Sequence, residues 1–558
     1  MSPRITSIIF CFVLLISIAA SRLFFLQVIK HQTYFDAAQK QQNFSSMLAP
    51  KRGDIFFKTK DGEPYRAAET KIGALLYLNT KLLQNPGDTY NKLNAITSID
   101  RDLFDQIINK NNDPYEILKH RLPQEEVERV LSLGLPGVGL EEERWRFYPS
   151  DFRASHVLGF VSAASDKSAG QYGIEKYYDE TLRGIRGQIL GDKDARGILI
   201  ALGNYLKVEP EEGEDVVLTI EPVLQRTAED ELAKLMAKWN AQGGGIIIVE
   251  PKTGSIKALA ASPNFNPNEY QKEKNLGVFL NPFTEKIFEL GSVFKPLTMA
   301  SAIDQGKVGP DTTYIDTGWV KIGDRIIKNF DGKAHGVRTM TEVLEESLNT
   351  GAVFAMQKLG GEALKEYFYR FGLGEKLGID LPGELRGDLS NLDSGREIEF
   401  ATASFGQGIA VTPLELTMAL SVLANGGKLM KPFIKDGNSP QVIRDVIKPE
   451  TSEAVTKMLV DVVDMSLAGG QAKFPHMSIA AKTGTAQIPA ALSGGGKGYG
   501  DEYLHSFFGY FPAYDPKFLI FIFLERPQGV KYASQSITGT FKSLVEFLVN
   551  YYTIPPDR

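Results

Sequence analysis

The most strongly apolar part of the chain is its amino-terminal stretch. Residues 5–29 are mostly apolar, with Arg22 as the interruption. A helix of about 20 apolar residues crosses a bilayer, so we expect a transmembrane anchor over residues 5–29 behind a cytoplasmic tail of residues 1–4. The alternative is a cleaved signal peptide, with Ser17-Ile18-Ala19 as its small-x-small site. Because the apolar run continues beyond that site, the pattern favours the anchor.

Residues 30–215 are polar, mixed in pattern and rich in turn signals. Residues 50–55 are typical of a strand entry and Lys60-Asp61-Gly62 of a hairpin turn. Residues 90–130 have the periodicity of charged helices. No catalytic constellation occurs here, so we expect an elongated pedestal or interaction module that ends in a linker over residues 208–215.

The hydrophobic pattern changes in residues 216–558. Short apolar runs predict strands near both ends of this region, and longer periodic runs predict helices between them. This order predicts an α+β domain whose sheet is assembled from both halves of the region. The predicted strands are residues 215–220, 244–249, 255–260, 479–488, 506–512 and 518–524, and the predicted helices are residues 222–235, 340–359, 364–371, 413–423 and 540–551.

Composition and charge narrow the classes of function. The 558 residues are 43% hydrophobic and 23% charged, as in a folded protein of several units. The net charge of −6, without a long basic run, argues against nucleic acid as a partner. Cys11 is the one cysteine, so no intramolecular disulfide is possible, and the six scattered histidines argue against a metal site.

A serine followed three residues later by a lysine is the first chemical signal. If residues 289–296 open a helix, Ser292 and Lys295 lie on one face, one turn apart, where they can share a proton. Pro296 fits the first turn of such a helix. A helix N-terminus favours negative charge, and a buried lysine can lose its proton and act as a base. Because a chain of this length contains about one or two such pairs by chance, other residues must support the assignment.

Ser347-Leu348-Asn349 and Lys482-Thr483-Gly484-Thr485 follow in that order. Ser347 can pass a proton to a leaving amine, and Asn349 offers an amide that can hold a peptide substrate. The same elements also occur as isolated copies, but Lys252-Thr253-Gly254 is predicted to be an ordinary turn between two strands, and Ser262-Pro263-Asn264 precedes the nucleophile. The ordered triplet within one predicted domain is therefore the specific signal.

The strand-like sequence around Lys482 places Lys482 and Gly484 on one face and the two threonines on the other. Lys482 would bring positive charge to the hydroxyl groups and to an anionic substrate. Gly484 would leave room for a substrate backbone, and Thr483 and Thr485 can bind a terminal carboxylate. The backbone N–H groups of Ser292 and Thr485 are the natural pair to hold an oxyanion.

The triplet resembles that of the serine penicillin-recognising enzymes, which carry S-x-x-K, S-D-N and K-T-G motifs. With its Ser-Leu-Asn form and its context, the chain resembles the class B penicillin-binding proteins, which are monofunctional peptidoglycan transpeptidases. Leu290, where a proline is common, and residues 56–62, in place of a usual Asp-Arg-x-Gly turn, depart from the family at non-catalytic positions. The matching segments are residues 50–55, 173–175, 182–184, 218–221, 224–225, 404–413 and 505–512.

The resemblance implies a β-lactamase/transpeptidase-like domain with a central antiparallel sheet and helices, after a dimerisation-type pedestal and one transmembrane helix. It implies that Ser292 attacks the penultimate D-Ala carbonyl of a pentapeptide stem, and that an amine from a neighbouring stem resolves the acyl-enzyme. Lys295 would be the base, with Ser347 and Lys482 completing the proton path. β-Lactams are expected to acylate Ser292, and neither a metal nor an organic cofactor is implied.

Location and partners also follow from the resemblance. The catalytic domain is expected outside the cytoplasm, on a single-pass protein of the bacterial cytoplasmic membrane. Since residues 30–215 do not look like a glycosyltransferase, a membrane-embedded glycan polymerase and division or elongation proteins are the expected partners. The motif forms favour a division-type (septal) over an elongation-type enzyme.

Two other functions stay open from the sequence. A hydrolytic relative, either a D,D-carboxypeptidase or a β-lactamase, would use the same residues with water as the acceptor, although it has no need of a long pedestal. A protein of another class would be a non-catalytic sensor or scaffold that binds β-lactams or peptidoglycan. The glycine-rich segment over residues 494–500 is predicted to lie near the cleft and to gate the acceptor.

Overall fold

The structure is a computed structural model that divides into two compact units. The first unit consists of Met1–Gly53 and Arg183–Glu214, and the second of Asp54–Leu182 and Asp215–Arg558. Because these units follow spatial contacts and not chain order, the predicted boundary after residue 215 stays a prediction. The structure describes residues 3–32, 34, 43–110, 113–162, 169–192, 206–467, 469–470, 472–492, 495–496 and 498–558.

Strands and helices alternate irregularly along the described residues. The strands are β1 (Asn43–Leu48), β2 (Ile55–Lys58), β3 (Pro64–Leu78), β4 (Glu116–Pro123), β5 (Val138–Phe147), β6 (Gly187–Asp192), β7 (Leu206–Val208), β8 (Val216–Val217), β9 (Gly243–Val249), β10 (Ile256–Ser262), β11 (Thr313–Asp316), β12 (Trp319–Ile322), β13 (Arg325–Lys328), β14 (Gly336–Thr339), β15 (Lys428–Met430), β16 (Val442–Asp445), β17 (Ala480–Pro489), β18 (Tyr499–Phe511) and β19 (Phe518–Glu525). The α-helices are Pro3–Phe24, Pro86–Asn94, Arg101–Asn109, Gln124–Ser132, Ser155–Leu158, Gly173–Tyr177, Asp179–Arg183, Pro222–Trp239, Lys295–Asp304, Met340–Glu345, Asn349–Leu359, Gly361–Arg370, Glu397–Ala403, Pro413–Ala424, Pro449–Asp461, Ala533–Ser536 and Thr538–Tyr551.

The first unit contains the apolar helix and a small sheet. The Pro3–Phe24 helix continues into a π-helical turn at Phe25–Ile29. The segment Ile8–Ile29 is long and apolar enough to cross a membrane, and none of it is buried against the protein. Length and composition alone fit an anchor and a signal sequence equally, so the single-pass anchor stays a prediction. The sheet of this unit has the strand order β1-β6-β7.

In the second unit, strands from residues 55–147 and the short strand β8 form a sheet with the strand order β4-β3-β2-β8, and β5 also pairs with β3. The predicted turn at Lys60-Asp61-Gly62 is confirmed between β2 and β3, with Gly62 at φ +91°. The predicted set of charged helices over residues 90–130 is found in Pro86–Asn94, Arg101–Asn109 and Gln124–Ser132, but Glu116–Pro123 forms strand β4 instead. Strand β4 is stabilised by its pairing with β3 and by the burial of Leu118 and Leu122. Because most of its other residues are charged or polar, these contacts could not be predicted from its sequence.

The predicted α+β sheet is confirmed in the second unit. Five strands lie in the order β10-β9-β19-β18-β17, and every neighbouring pair is antiparallel. Strands β9 and β10 come from the beginning of the predicted catalytic region, whereas β17, β18 and β19 come from its end. The sheet therefore joins the two halves of the region.

Helices cover both faces of this sheet. The Pro222–Trp239 and Thr538–Tyr551 helices bury their apolar side chains with Ile246 and Ile248 of β9 on one face. On the other face, Ile247 and Val249 belong to a core that includes the Lys295–Asp304 and Pro413–Ala424 helices. Because consecutive side chains of a strand point to opposite faces, a fully apolar strand such as β9 fits only between two such layers.

Candidate active site

Ser292 lies in a 3₁₀ turn, Gly291–Phe294, that leads directly into the Lys295–Asp304 helix. Pro296 lies in the first turn of that helix, as predicted. Gly291 has φ +69° and donates its N–H to Gly406 O at 3.1 Å. A Cβ atom at Gly291 would lie 3.2 Å from the carbonyl carbon of Thr485. The turn is thus held between β17 and the segment that contains Gly406.

The Ser347-Leu348-Asn349 motif lies at a break between two helices. The predicted helical stretch over residues 340–359 is interrupted here, because Met340–Glu345 ends before the motif and Asn349–Leu359 begins at its last residue. Ser347 has φ +56°, a left-handed conformation that is uncommon for a residue other than glycine. The break turns both oxygen atoms of Ser347 towards Lys295: the Lys295 Nζ donates to the carbonyl oxygen and, at 3.2 Å, to Oγ.

Two lysines are buried behind the hydroxyl groups. Lys295 is 1% exposed and Lys482 is 2% exposed. Burial lowers the pKa of Lys295 well below its ordinary 10.5, and the charge of Lys482 lowers it further. Burial also lowers the pKa of Lys482, to about 7. Burial and a neighbouring positive charge both disfavour the ammonium form, so both effects favour the neutral amine of Lys295.

Strand β17 places its residues on alternate sides, as predicted. Lys482 and Gly484 are buried, whereas Thr483 and Thr485 are partly exposed. The Lys482 Nζ donates to Thr483 O at 3.2 Å, and Thr485 Oγ1 accepts the Ala533 N–H at 3.0 Å. The hydroxyl of Thr485 is therefore oriented by the short Ala533–Ser536 helix.

The structure requires a glycine at position 484 for a reason other than the predicted room for a substrate backbone. A Cβ atom there would lie 2.3 Å from Ser506 Oγ, 2.7 Å from Leu290 O and 3.1 Å from Val293 N. The Gly291–Phe294 turn and Leu290 before it approach β17 so closely that no side chain fits between them. The glycine thus fixes the distance from this strand to Ser292.

We expect Gly484→Ala to lower the free energy of unfolding by about 1–3 kcal/mol, the usual range for overpacking a filled core. The Cβ atom has to displace Leu290 O, which belongs to backbone and cannot rotate away. The matched control is Gly539→Ala, since Gly539 is exposed and a Cβ atom there meets nothing within 4 Å. Denaturant unfolding followed by circular dichroism measures both; equal midpoints for the two variants would contradict this account of Gly484.

One cavity of about 620 Å³ gathers most of the predicted site residues. Ser292, Ser347, Asn349, Thr483 and Thr485 line it, whereas Lys295, Lys482 and Gly484 lie in the protein behind it. Several other residues that line the cavity have no role predicted from the sequence, among them Gln407, Gln487, Tyr503, Phe330 and Tyr532. Gln407 belongs to the matched segment over residues 404–413, and that match was the available signal; nothing in the sequence marks Phe330 or Tyr532.

A partly buried carboxyl group, that of Glu289, ties neighbouring segments to the Gly291–Phe294 turn. Glu289 Oε2 accepts the Gly408 N–H at 3.1 Å and the Tyr499 hydroxyl at 2.9 Å. Burial raises the pKa of the Glu289 carboxyl group. Tyr499 belongs to the glycine-rich segment and is the first residue of β18. Residues 494 and 497 of the predicted gate over residues 494–500 lie outside the described residues, and its gating role stays a prediction.

Comparison with known proteins agrees with this architecture. Residues 244–546 match the family described as "Penicillin binding protein transpeptidase domain", and residues 48–218 match "Penicillin-binding Protein dimerisation domain". Stage V sporulation protein D of Bacillus subtilis (strain 168) is 30% identical over 538 residues, which cover 93% of this chain and 80% of the relative. Peptidoglycan D,D-transpeptidase FtsI of Escherichia coli (strain K12) is 27% identical over 555 residues, which cover 98% and 91%.

Solved structures show the same fold. Penicillin Binding Protein 2X from Streptococcus thermophilus superposes with a TM-score of 0.76 at 21% identity, over 92% of this chain and 80% of that one. The family match spans more than half of the chain and includes all of the motif residues. The chain belongs to the penicillin-binding protein transpeptidase family, with a dimerisation domain ahead of an acyl-transfer domain of the penicillin-binding class.

Proposed function

We propose that this protein is a peptidoglycan D,D-transpeptidase that cross-links stem peptides through an acyl-enzyme on Ser292. The observation that carries the proposal is the single cavity in which Ser292, Ser347, Asn349, Thr483 and Thr485 meet, with Lys295 and Lys482 buried behind it. A serine nucleophile needs a base within reach and a site that holds the developing oxyanion. The names of the relatives and the family match support the same reaction.

In the acylation step, Ser292 Oγ attacks the carbonyl carbon of the penultimate D-Ala, and its proton passes to the neutral amine of Lys295. The backbone N–H groups of Ser292 and Thr485 hold the oxyanion. The peptide C–N bond then breaks, and the leaving D-Ala nitrogen takes a proton from Lys295 through Ser347 Oγ. The 3.2 Å hydrogen bond between Lys295 Nζ and Ser347 Oγ supports this path.

Substrate binding is assigned to the cavity walls. Thr483 and Thr485 would bind the terminal carboxylate, helped by the charge of Lys482 behind them, and Asn349 would hold the peptide backbone. In the second step, the amine of a neighbouring stem attacks the Ser292 ester and loses a proton to Lys295, which returns it to Ser292 Oγ as the ester C–O bond breaks. The product is a new amide between two stems, and a water molecule in place of the amine would give hydrolysis.

The surroundings of the enzyme are part of the proposal. We place the tail at residues 1–4, the anchor at 5–29, the pedestal at 30–215 and the transpeptidase domain at 216–558. The catalytic domain would lie outside the cytoplasm, where its partners are a membrane-embedded glycan polymerase and division or elongation proteins. The relative named FtsI and the motif forms support a septal role. The apolar segment Ile8–Ile29 supports the anchor.

Turnover with two acceptors distinguishes the transpeptidase from a hydrolase. We expect the full chain, given a stem pentapeptide and a second stem with a free amine, to form about tenfold more cross-linked than hydrolysed product, because a bound, oriented amine competes well with water. Mass spectrometry of the products measures the ratio. Hydrolysis as the main outcome, with the acceptor present and both donor and acceptor varied, would make the protein a carboxypeptidase instead.

A further inference from the structure

The hairpin of β12 and β13 forms one wall of the cavity and continues beyond it. Opposite residues of an antiparallel pair lie on the same face; the register pairs Trp319 with Lys328 and Lys321 with Ile326. These four residues form what we call the hairpin face. The other face carries Ile322 and Ile327, which are 5% and 8% exposed and belong to the core.

The hairpin face is exposed and continuous with the site. Trp319 is 50% exposed and Ile326 is 56% exposed. Ile326 and Lys328 also line the cavity. Lys321 and Lys328 are exposed, and in the described part of the chain no ion pair joins either lysine to a carboxylate, including Asp324 in the hairpin turn. The hairpin face therefore carries a tryptophan, an isoleucine and two lysine ammonium groups that no described ion pair neutralises. It begins inside the cavity, at Ile326 and Lys328, and extends out of it.

Hydrogen bonds, two of them buried, fix the hairpin relative to the Ser347-Leu348-Asn349 motif. The Asn349 side-chain amide donates to Lys328 O at 2.9 Å. Asn329, directly after β13, donates to Asp316 at 2.9 Å, and Thr350 Oγ1 donates to Asp316 at 2.7 Å. Asp316 and Asn329 are 1% and 4% exposed. A face held in this way is preorganised, so binding there does not require ordering of the hairpin.

The geometry of the reaction determines what reaches this face. The four stem residues up to the reacting D-Ala carbonyl span about 14 Å when extended. With the carbonyl at Ser292, the amino-terminal part of the stem has to leave the cavity across one of its walls. That part of the stem carries the α-carboxylate of a γ-linked D-glutamyl residue, unless this group is amidated.

We propose that the hairpin face is the binding site for the amino-terminal, acidic part of the donor stem peptide. Lys321 and Lys328 recognise its free carboxylate, and Trp319 and Ile326 contact the apolar parts of its side chains. The inference rests on the proposed transpeptidase function and adds a specificity to it: the enzyme distinguishes free from amidated stems by charge. A long-range attraction of this kind raises the rate of productive encounter and weakens with salt.

Charge reversal on the hairpin face tests the proposal. The full chain in detergent is given two pentapeptide donors that differ only in a free or an amidated D-glutamyl carboxylate. We expect Lys321→Glu/Lys328→Glu to lower kcat/KM for the free-carboxylate donor about tenfold and for the amidated donor less than about twofold, as for the loss of complementary charges at a binding surface. Added salt should shrink the difference.

The matched control is Lys274→Glu/Lys307→Glu, which changes the charge equally at exposed lysines that do not line the cavity. The ratio of the two donors should stay that of the unmodified protein. Lys321→Met/Lys328→Met, which adds no repulsion, should change the ratio in the same direction by a smaller factor. An equal loss on both donors, or an unchanged ratio in both hairpin variants, would overturn the proposal.

A Trp319→Ala variant tests whether the glycan, and not the stem peptide, binds the hairpin face. A loss that depends on a glycan attached to the donor, and not on its carboxylate, would assign the face to the sugar chain and overturn the proposal. Penicillin labelling of Ser292 is measured on the same samples. Labelling of the unmodified protein together with an unchanged donor ratio refutes the hairpin proposal alone, whereas absence of labelling refutes the proposed function.

Discussion

Ser292→Ala is expected to abolish covalent labelling by a fluorescent penicillin and to lower transpeptidation by about a factor of 10⁴ or more, as removal of the nucleophile does in other serine acyl-transfer enzymes. Ser292 lines the cavity at the start of the Lys295–Asp304 helix. The variant lacks the only atom that the proposed mechanism allows to carry the acyl group. Gel fluorescence after incubation and denaturation measures the label, and release of D-Ala measures turnover.

The matched control for this substitution is Ser534→Ala. Ser534 lines the same cavity but belongs to the Ala533–Ser536 helix and to none of the three motifs. We expect this variant to be labelled as fast as the unmodified protein. A label that survives Ser292→Ala, or one that is lost equally in Ser534→Ala, would remove Ser292 from the role of nucleophile.

The second large effect is expected for Lys295→Met, which should slow acylation by about 10³-fold, within the range that a general base contributes. Methionine fills the space of the buried lysine, so the loss reports the missing amine more than a cavity. Acylation by the unmodified protein should fall as the pH drops through the pKa of Lys295, because the protonated amine cannot accept the serine proton. Stopped-flow acylation across pH measures both effects.

The control is the pH at which the acylation rate falls, which is the acid limb of the pH–rate profile. The charge of Lys482 lowers the pKa of Lys295, so Lys482→Met should raise that pKa and move the acid limb towards higher pH. The midpoint of the acid limb is determined relative to each variant's own maximal rate. It therefore does not depend on how much activity Lys482→Met retains. An acid limb that stays in place in Lys482→Met, or persists in Lys295→Met, would assign the titration to another group.

Much of the fold could be predicted because buried positions are occupied by apolar residues, so burial determines the hydrophobic pattern along the chain. Strand β9 is apolar at every position except its glycines, and a strand covered on both faces has to be. Strand β4 was missed for the opposite reason, because only Leu118 and Leu122 are buried and the charged residues between them imitate a helix. The break at Ser347 was missed because nothing in the local sequence forbids a helix there. Its φ of +56° is stabilised by tertiary contacts such as the hydrogen bonds from Lys295.

The motif residues could be predicted because their chemistry constrains residue type, but their arrangement could not. The alternation along β17 indicated that Lys482 and Thr483 face opposite ways, yet only the structure shows that both lysines are buried. The explanation of Gly484 lies in Leu290 O and Ser506, which are distant in sequence. The wall formed by β12 and β13 has no motif, because it acts through position and charge.

The strand order also determines when the enzyme can become active during its synthesis. Strand β9 exposes one edge until β19 is synthesised, and β19 follows all the other described strands in chain order. Ser292 leaves the ribosome long before β17, the strand against which its turn is held. Contacts between such distant segments make folding slow and leave apolar strand edges open to aggregation in the meantime. A chain interrupted before β19 therefore contains Ser292 and Lys295 but lacks the strand that joins β17 and β18 to β9, and we expect the cell to treat it as unfolded protein.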